Sequence, residues 1–314
     1  MIRDEHGHAR PALDAEMLVA AVPGITQVAQ VDVETLMNVP SPYLTPRDIF
    51  RLSRYISDLA AQGYYGVVIT QGTDTLEETV YFLDLLVKEP ISVIVTGAQR
   101  DPALLSADGP VNIMEAIQVA CDEATPQLGA MVVFGSQVLA GSEVVKTHTS
   151  RLDTFKSPEL GPLGVVDHGQ LYWLRRPVMQ DRYSPSHLDA RVEVISVNMG
   201  SDGVLLDAAV RAGAQGIVLQ ALGGGHVPPP MIPVIEATVQ KGIPVVMTSR
   251  CHSGRLMVNT YGYEGSETHL RRIGVILGSG LSASKARVKL ITLLGMGLGV
   301  EQMRYEFEKH LGCV

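Results

Sequence analysis

Short apolar runs bounded by turn formers alternate along this chain with longer segments whose apolar residues recur every three or four positions. Runs at 67–70, 91–95 and 129–134 predict short buried strands, and 27–33 reads as another strand. Ile49, Leu52, Ile56 and Leu59 fall at helical spacing and predict a helix over 46–62; helices over 76–87 and 110–122 follow. Asp14 opens a short amphipathic segment over 16–21. In the second half, strands at 192–197, 216–220 and 244–248 alternate with helices at 203–212 and 231–241, and helices near 284–294 and 300–310 close the chain. Alternation of this kind predicts parallel sheets covered on both faces. Residues 175–190 are polar and aperiodic, with Pro177 and Pro185, and read as a linker. The expected architecture is therefore α/β with two α/β domains. A larger N-terminal domain (1–174) carries a parallel-rich sheet flanked by helices, and a smaller one spans 191–314.

A chain of 314 residues is long enough for two cores, and its 46% apolar and 18% charged content is that of an ordinary globular protein. The net charge of -8, without a basic stripe, argues against nucleic acid. No apolar stretch reaches the roughly 18–20 residues that span a bilayer, so no membrane role is expected. Cys121, Cys251 and Cys313 are scattered and odd in number, and read as reduced thiols of a cytoplasmic protein. The polar segment 1–11 reads as a flexible loop, neither a signal peptide nor a strand.

Chemistry concentrates in four clusters expected at strand ends. They are Ser41 after Asn38-Val39-Pro40; Gln71-Gly72-Thr73-Asp74-Thr75; Thr96-Gly97-Ala98-Gln99-Arg100 with Ser106-Ala107-Asp108-Gly109-Pro110; and Lys146 with Thr147 and Thr149. Gly72 would allow a sharp turn open to a ligand, and Thr75 with Glu78 fits a capping box. Thr73 and Asp74 should then sit where a parallel strand meets a helix N-terminus, a common ligand position in α/β sheets. A threonine needs a base to become a nucleophile, and a lysine can be one. Spacing alone does not bring Thr73, Asp74 and Lys146 together. Taken singly, a Thr-Asp pair after a strand is a helix cap and a lone Lys is solvated. Gly223-Gly224-Gly225 lacks the Lys-Ser/Thr of a phosphate loop and reads as a turn. Gly278-Ser279-Gly280 reads as tight packing, His6 with His8 as a solvated pair, and Cys251-His252 as a non-catalytic neighbour pair. No metal-ligand spacing appears, and no cofactor is expected.

Taken together, the clusters resemble the bacterial-type L-asparaginase family nearly from end to end. The blocks that carry the resemblance run from Gln71 to Thr79, Val95 to Arg100, Ser106 to Asn112, Lys146 to Thr149, Thr154 to Ser157, Gly161 to Gly164, and from Ala212-Gly213 through Gly223-Gly224-Gly225 to Ser249-Arg250. Gln71 stands where the family usually has His. The resemblance implies an amidohydrolase that converts L-asparagine to L-aspartate and ammonia. It implies Thr73 as the attacking group, Lys146 as its base, Asp74 on the substrate's α-amino group and Ser41 on its α-carboxylate. Backbone N–H groups around Gly72, Thr73 and Ala98 would position the amide or its oxyanion. It also implies a homodimer or homotetramer whose sites are completed by a neighbour's C-terminal domain, with Glu264 as the candidate contribution.

One departure stands out. The family opens with a strand and Thr-Gly-Gly-Thr-Ile, whose first Thr is usually the primary nucleophile. Neither is found here, and no tyrosine precedes Tyr43. The expectation is a start assigned too late, with 1–11 matching the loop that follows the motif and with one half of the catalytic machinery missing from the chain as written. The rival readings are an asparaginase-like subunit of a tRNA-dependent amidotransferase, and a non-catalytic amino-acid-binding relative that kept Ser41 and Asp74 as grips.

Overall fold

The computed structural model describes residues 14–178 and 180–311 in full, and the backbone of 2–3 and 9–10. It divides into two units, Met1–Arg182 and Tyr183–Val314. The division falls inside the proline-bearing segment 175–190, whose two halves are tied to different units. Arg175 pairs with Glu143, and Arg182 donates to the main-chain oxygen of Asp84. Tyr183 donates to Glu306 Oε2 at 2.6 Å, and Ser186 Oγ to Gly295 O at 3.0 Å.

The first unit opens with a correction. Residues expected to be an unstructured loop form two short antiparallel strands, β1 (Ile2–Arg3) and β2 (Ala9–Arg10). Helix α1 (Ala15–Ala20) follows, capped by Asp14, which accepts from Met17 N. A second correction concerns 27–33. The chain makes a helical turn, α2 (Ile25–Val28), and then runs extended without joining a sheet. The alternation is real, since Ala29, Val31 and Val33 are half-buried while Gln30, Asp32 and Glu34 are exposed. Ala29 and Val31 bury against Ile113 and Ile117 instead of entering a ladder.

Ser41–Tyr43 form a 3-10 turn, so Ser41 does not lie at a strand end. Helix α3 (Pro46–Ala61) starts at a reciprocal Thr45–Asp48 capping box and buries Ile49, Leu52 and Ile56 on one face. Then come β3 (Gly66–Thr70), α4 (Leu76–Leu86), β4 (Ser92–Thr96), α5 (Gly109–Cys121), β5 (Ala130–Phe134), β6 (Gln137–Ala140), β7 (Val145–Lys146), β8 (Phe155–Lys156), β9 (Gly164–Asp167) and β10 (Gln170–Trp173). The main sheet has the order β10-β9-β6-β5-β4-β3. Only β3, β4 and β5 are parallel; β6, β9 and β10 join antiparallel, so the expected parallel sheet is half of the observed one. Helix α5 packs on β3, β4 and β5. Ile94, Met131 and Val133 share a core with Ala116 and Val119 of that helix, and the alternate Val93 and Val95 are as fully buried on the opposite face. Among the described residues β3 is the outermost strand on its side, and its side chains are only half-buried where those of β4 are buried.

The second unit is a smaller parallel sheet, β11-β12-β13-β14, formed by Val192–Ser196, Gly216–Ala221, Val245–Ser249 and Ile276–Leu277. Helices α6 (Val204–Arg211), α7 (Ile232–Gln240), α8 (Glu267–Arg272), α9 (Ala283–Gly295) and α10 (Val300–Glu308) surround it. Leu206, Ile217, Leu219, Ile235, Met247, Leu270 and Leu277 form its core. Gly278 answers to packing, since a Cβ there would stand 2.8 Å from Met247 O. No helix among the described residues is long and apolar enough to cross a membrane.

Candidate active site

Strand β3 ends at Thr70, and the chain passes through 71–75 before α4 begins at Leu76. Gln71 N donates to Thr96 O at 3.0 Å, which keeps the crossing level with the end of β4. Gly72 is not in the left-handed region, so a sharp turn is not its reason. The reason is Ser41, whose Oγ would lie 2.9 Å from a Cβ at position 72. Gly97 is similarly constrained: a Cβ would stand 2.4 Å from Gln71 O and 3.5 Å from Thr73 Cγ2. The ends of β3 and β4 and the Ser41 turn therefore close on one another around Thr73. Thr75 does not complete the expected capping box. Its hydroxyl donates to Ser41 O at 3.1 Å, tying the Ser41 turn to the start of α4.

Lys146 reaches this junction on a separate hairpin. The two-residue strands β7 and β8 pair Lys146 with Phe155, and Thr147 N closes the turn on Thr154 O at 2.8 Å. His148 Nδ1 accepts from the main-chain N–H of Ser150 and Arg151, each at 3.1 Å. Phe155 anchors the hairpin edge-on against Phe134 of β5, with ring centroids 5.0 Å apart. The Lys146 side chain is 15% exposed and that of Asp74 66%. Lys146 Nζ donates to Thr73 Oγ1 at 2.8 Å and to Asp74 Oδ1 at 2.8 Å. A hydroxyl, an amine and a largely exposed carboxylate thus meet at one strand end, as nucleophilic attack by an activated hydroxyl requires.

The second loop at this edge is built from α5. Asp108 accepts from Gln99 N at 3.0 Å and Arg100 N at 2.9 Å, and Asn112 Nδ2 donates to Gly97 O at 2.9 Å. Ala98 is carried between these tethers and is exposed. Deeper on α5, Glu115 is buried. Ser136 Oγ donates to its Oε1 at 2.8 Å, while Oε2 has no partner. Burial, only partly offset by Ser136, raises its carboxyl above the usual range.

The structure brings together Ser41, Gly72, Thr73, Asp74 and Lys146 within the first unit, with the Gly97-Ala98 loop beside them. Glu264 lies in the second unit, exposed in the loop ahead of α8. Two supports went unread in the sequence. Glu77 in the first turn of α4 accepts from Lys146 N at 2.6 Å, and Asp108 and Asn112 hold the Gly97 loop. Their only sequence signal is position, in the first turn of one helix and at the start of another. Among the described residues no group of three or more His, Cys, Asp or Glu is placed to hold a metal ion. His6, His8 and Cys313 lie outside the described residues; Cys121 and Cys251 are free thiols.

The family model described as "Asparaginase, N-terminal" matches residues 1–179, and "Glutaminase/Asparaginase C-terminal domain" matches residues 191–307. The chain belongs to the asparaginase family. A probable L-asparaginase of Deinococcus radiodurans is 38% identical over 95% of this chain and 93% of its own length. An L-asparaginase of Bacillus licheniformis is 35% identical over 88% of this chain and 86% of its own. The crystal structure of a probable cytoplasmic L-asparaginase from Campylobacter jejuni superposes with a TM-score of 0.87 at 31% identity, covering 94% of each chain. This asparaginase-family chain has the family's two α/β domains, and its activity class is that of an amidohydrolase.

Proposed function

We propose that this protein hydrolyses the side-chain amide of L-asparagine to L-aspartate and ammonia through Thr73 and Lys146. The observation that carries the reading is the position of Lys146 Nζ, 2.8 Å from both Thr73 Oγ1 and Asp74 Oδ1. With Lys146 as the free amine, Thr73 Oγ1 attacks the amide carbon and its proton passes to Nζ. The tetrahedral oxyanion is stabilised by main-chain N–H groups near Thr73 and Ala98. Collapse breaks the C–N bond, and the proton on Nζ leaves with ammonia. Water then attacks the aspartyl ester of Thr73, returning the hydroxyl and releasing aspartate. Asp74, whose carboxylate is mostly exposed, holds the substrate ammonium, and buried Ser41 orients the α-carboxylate from beside Gly72. A homodimer or homotetramer, with Glu264 reaching a neighbour's site, completes the reading.

Two measurements separate this reading from its rivals: ammonia released from L-asparagine, and calorimetric titration with L-aspartate. The enzyme gives both signals. An amino-acid-binding relative gives saturable aspartate binding with no ammonia, and an amidotransferase subunit gives ammonia only with its partner and tRNA.

A further inference from the structure

The hairpin that carries Lys146 is only two residue pairs wide, Val145 with Lys156 and Lys146 with Phe155. Thr147 N bonds back to Thr154 O, so by antiparallel alternation the N–H of Lys146 points away from β8. In a wider sheet a third strand would accept that N–H. Here Glu77 accepts it instead, with Oε2 at 2.6 Å across 69 residues of sequence. Glu77 sits three residues after Asp74 in the first turn of α4. One short segment, 73–77, therefore holds Lys146 at both ends: the side chain through Thr73 and Asp74, the main chain through Glu77.

We infer that Glu77 is a positioning residue, fixing the Lys146 main chain so that Nζ stays against Thr73 Oγ1. The inference rests on the reading of Thr73 and Lys146 as the reacting pair. Glu77 meets Lys146 at its main-chain N–H, and its contribution is alignment. Misplacement of about 1 Å by a remote change costs roughly 10²-fold in rate. Glu77→Ala removes the acceptor, whereas Glu77→Gln keeps an amide oxygen of nearly the same reach.

The test uses two readouts on the full chain. The first is the rate at which acetic anhydride acetylates Lys146, followed by peptide mass spectrometry with surface lysines as internal references. Glu77→Ala should raise that rate roughly tenfold, as loss of a charge-assisted bond allows, and Glu77→Gln should stay near wild type. The second is ammonia release: kcat should fall about 10²-fold in Glu77→Ala with KM little changed, and much less in Glu77→Gln. An unchanged Lys146 acetylation rate in a folded Glu77→Ala protein overturns the inference. So does an equal loss in both variants, which would assign the role to the charge rather than the acceptor. If acetylation responds as stated while Lys146→Met keeps its turnover, the positioning role stands and the proposed reaction fails.

Discussion

Both units end parallel strands in loops rich in glycine and hydroxyls, and the two sets of hydroxyls are used differently. In the second unit Ser249 closes β13: its Oγ donates to Gly223 O at 2.6 Å and accepts from Cys251 N at 3.0 Å. That hydroxyl is occupied by its own turn. In the first unit the corresponding closure is made by Thr75, which bonds Ser41 O, and by Gln71 N on Thr96 O. Thr73 is left free of local main-chain duty and meets an amine delivered by a hairpin 73 residues away. A strand-end hydroxyl is thus held by main-chain groups in one sheet and met by a hairpin amine in the other.

The buried carboxylates differ in the same way. Glu115 of the first unit has one oxygen without a partner, and burial raises its carboxyl. Glu267 of the second unit is fully buried, yet N–H groups of Tyr261 and Thr260 reach its Oε1 at 2.9 and 2.6 Å and outweigh burial, lowering its carboxyl. Each keeps an Oε2 without a hydrogen-bond partner, and the difference lies at Oε1, which takes one hydroxyl in Glu115 and two main-chain N–H groups in Glu267.

The largest effect expected on binding comes from Asp74→Ala. Removing the partner of a substrate ammonium costs roughly 1.5–3 kcal/mol, so calorimetry with L-aspartate should show binding weakened by one to two orders of magnitude. Unchanged heats would remove Asp74 from the site. Ser249→Ala in the other sheet should leave binding and turnover intact.

The smallest effects concern pH. A carboxyl raised in the folded state stabilises below its unfolded pKa, and that contribution is lost as pH rises through the folded value. Glu115→Gln should therefore flatten the loss of stability on going from acid toward neutral pH, seen in thermal melts across pH. Glu267, lowered when folded, has the opposite sign. Its contribution is present above the unfolded pKa and is lost as pH falls through the folded one. Glu267→Gln should flatten the acid limb instead.

Much of this contrast was legible before the structure. The periodicity of Ile49, Leu52 and Ile56 located α3, and the runs around Val67 and Val93 located β3 and β4. Placing Thr73-Asp74 at a strand–helix junction followed from local pattern alone. The hairpin of Lys146 did not, because two-residue strands leave no periodic trace and their partners lie 9–11 residues on. The antiparallel half of the sheet was missed for a related reason: β6, β9 and β10 are four residues each, too short to show alternation against their turns. The segment 27–33 failed in the other direction. Its alternation reports one face resting on α5, which is not the same as strand pairing. Gly72 was recognised as necessary for the wrong reason, since a turn is a local property and the approach of Ser41 is a tertiary one.

The central claim is that the hairpin amine activates the Thr73 hydroxyl. Ammonia release from L-asparagine by the wild-type chain and by Lys146→Met tests it most directly, with circular dichroism showing that both are folded. Loss of a general base costs about 10²–10⁴ in rate, so the account predicts turnover reduced by at least that lower bound, with aspartate binding retained. Near-normal turnover in a folded Lys146→Met protein would contradict it.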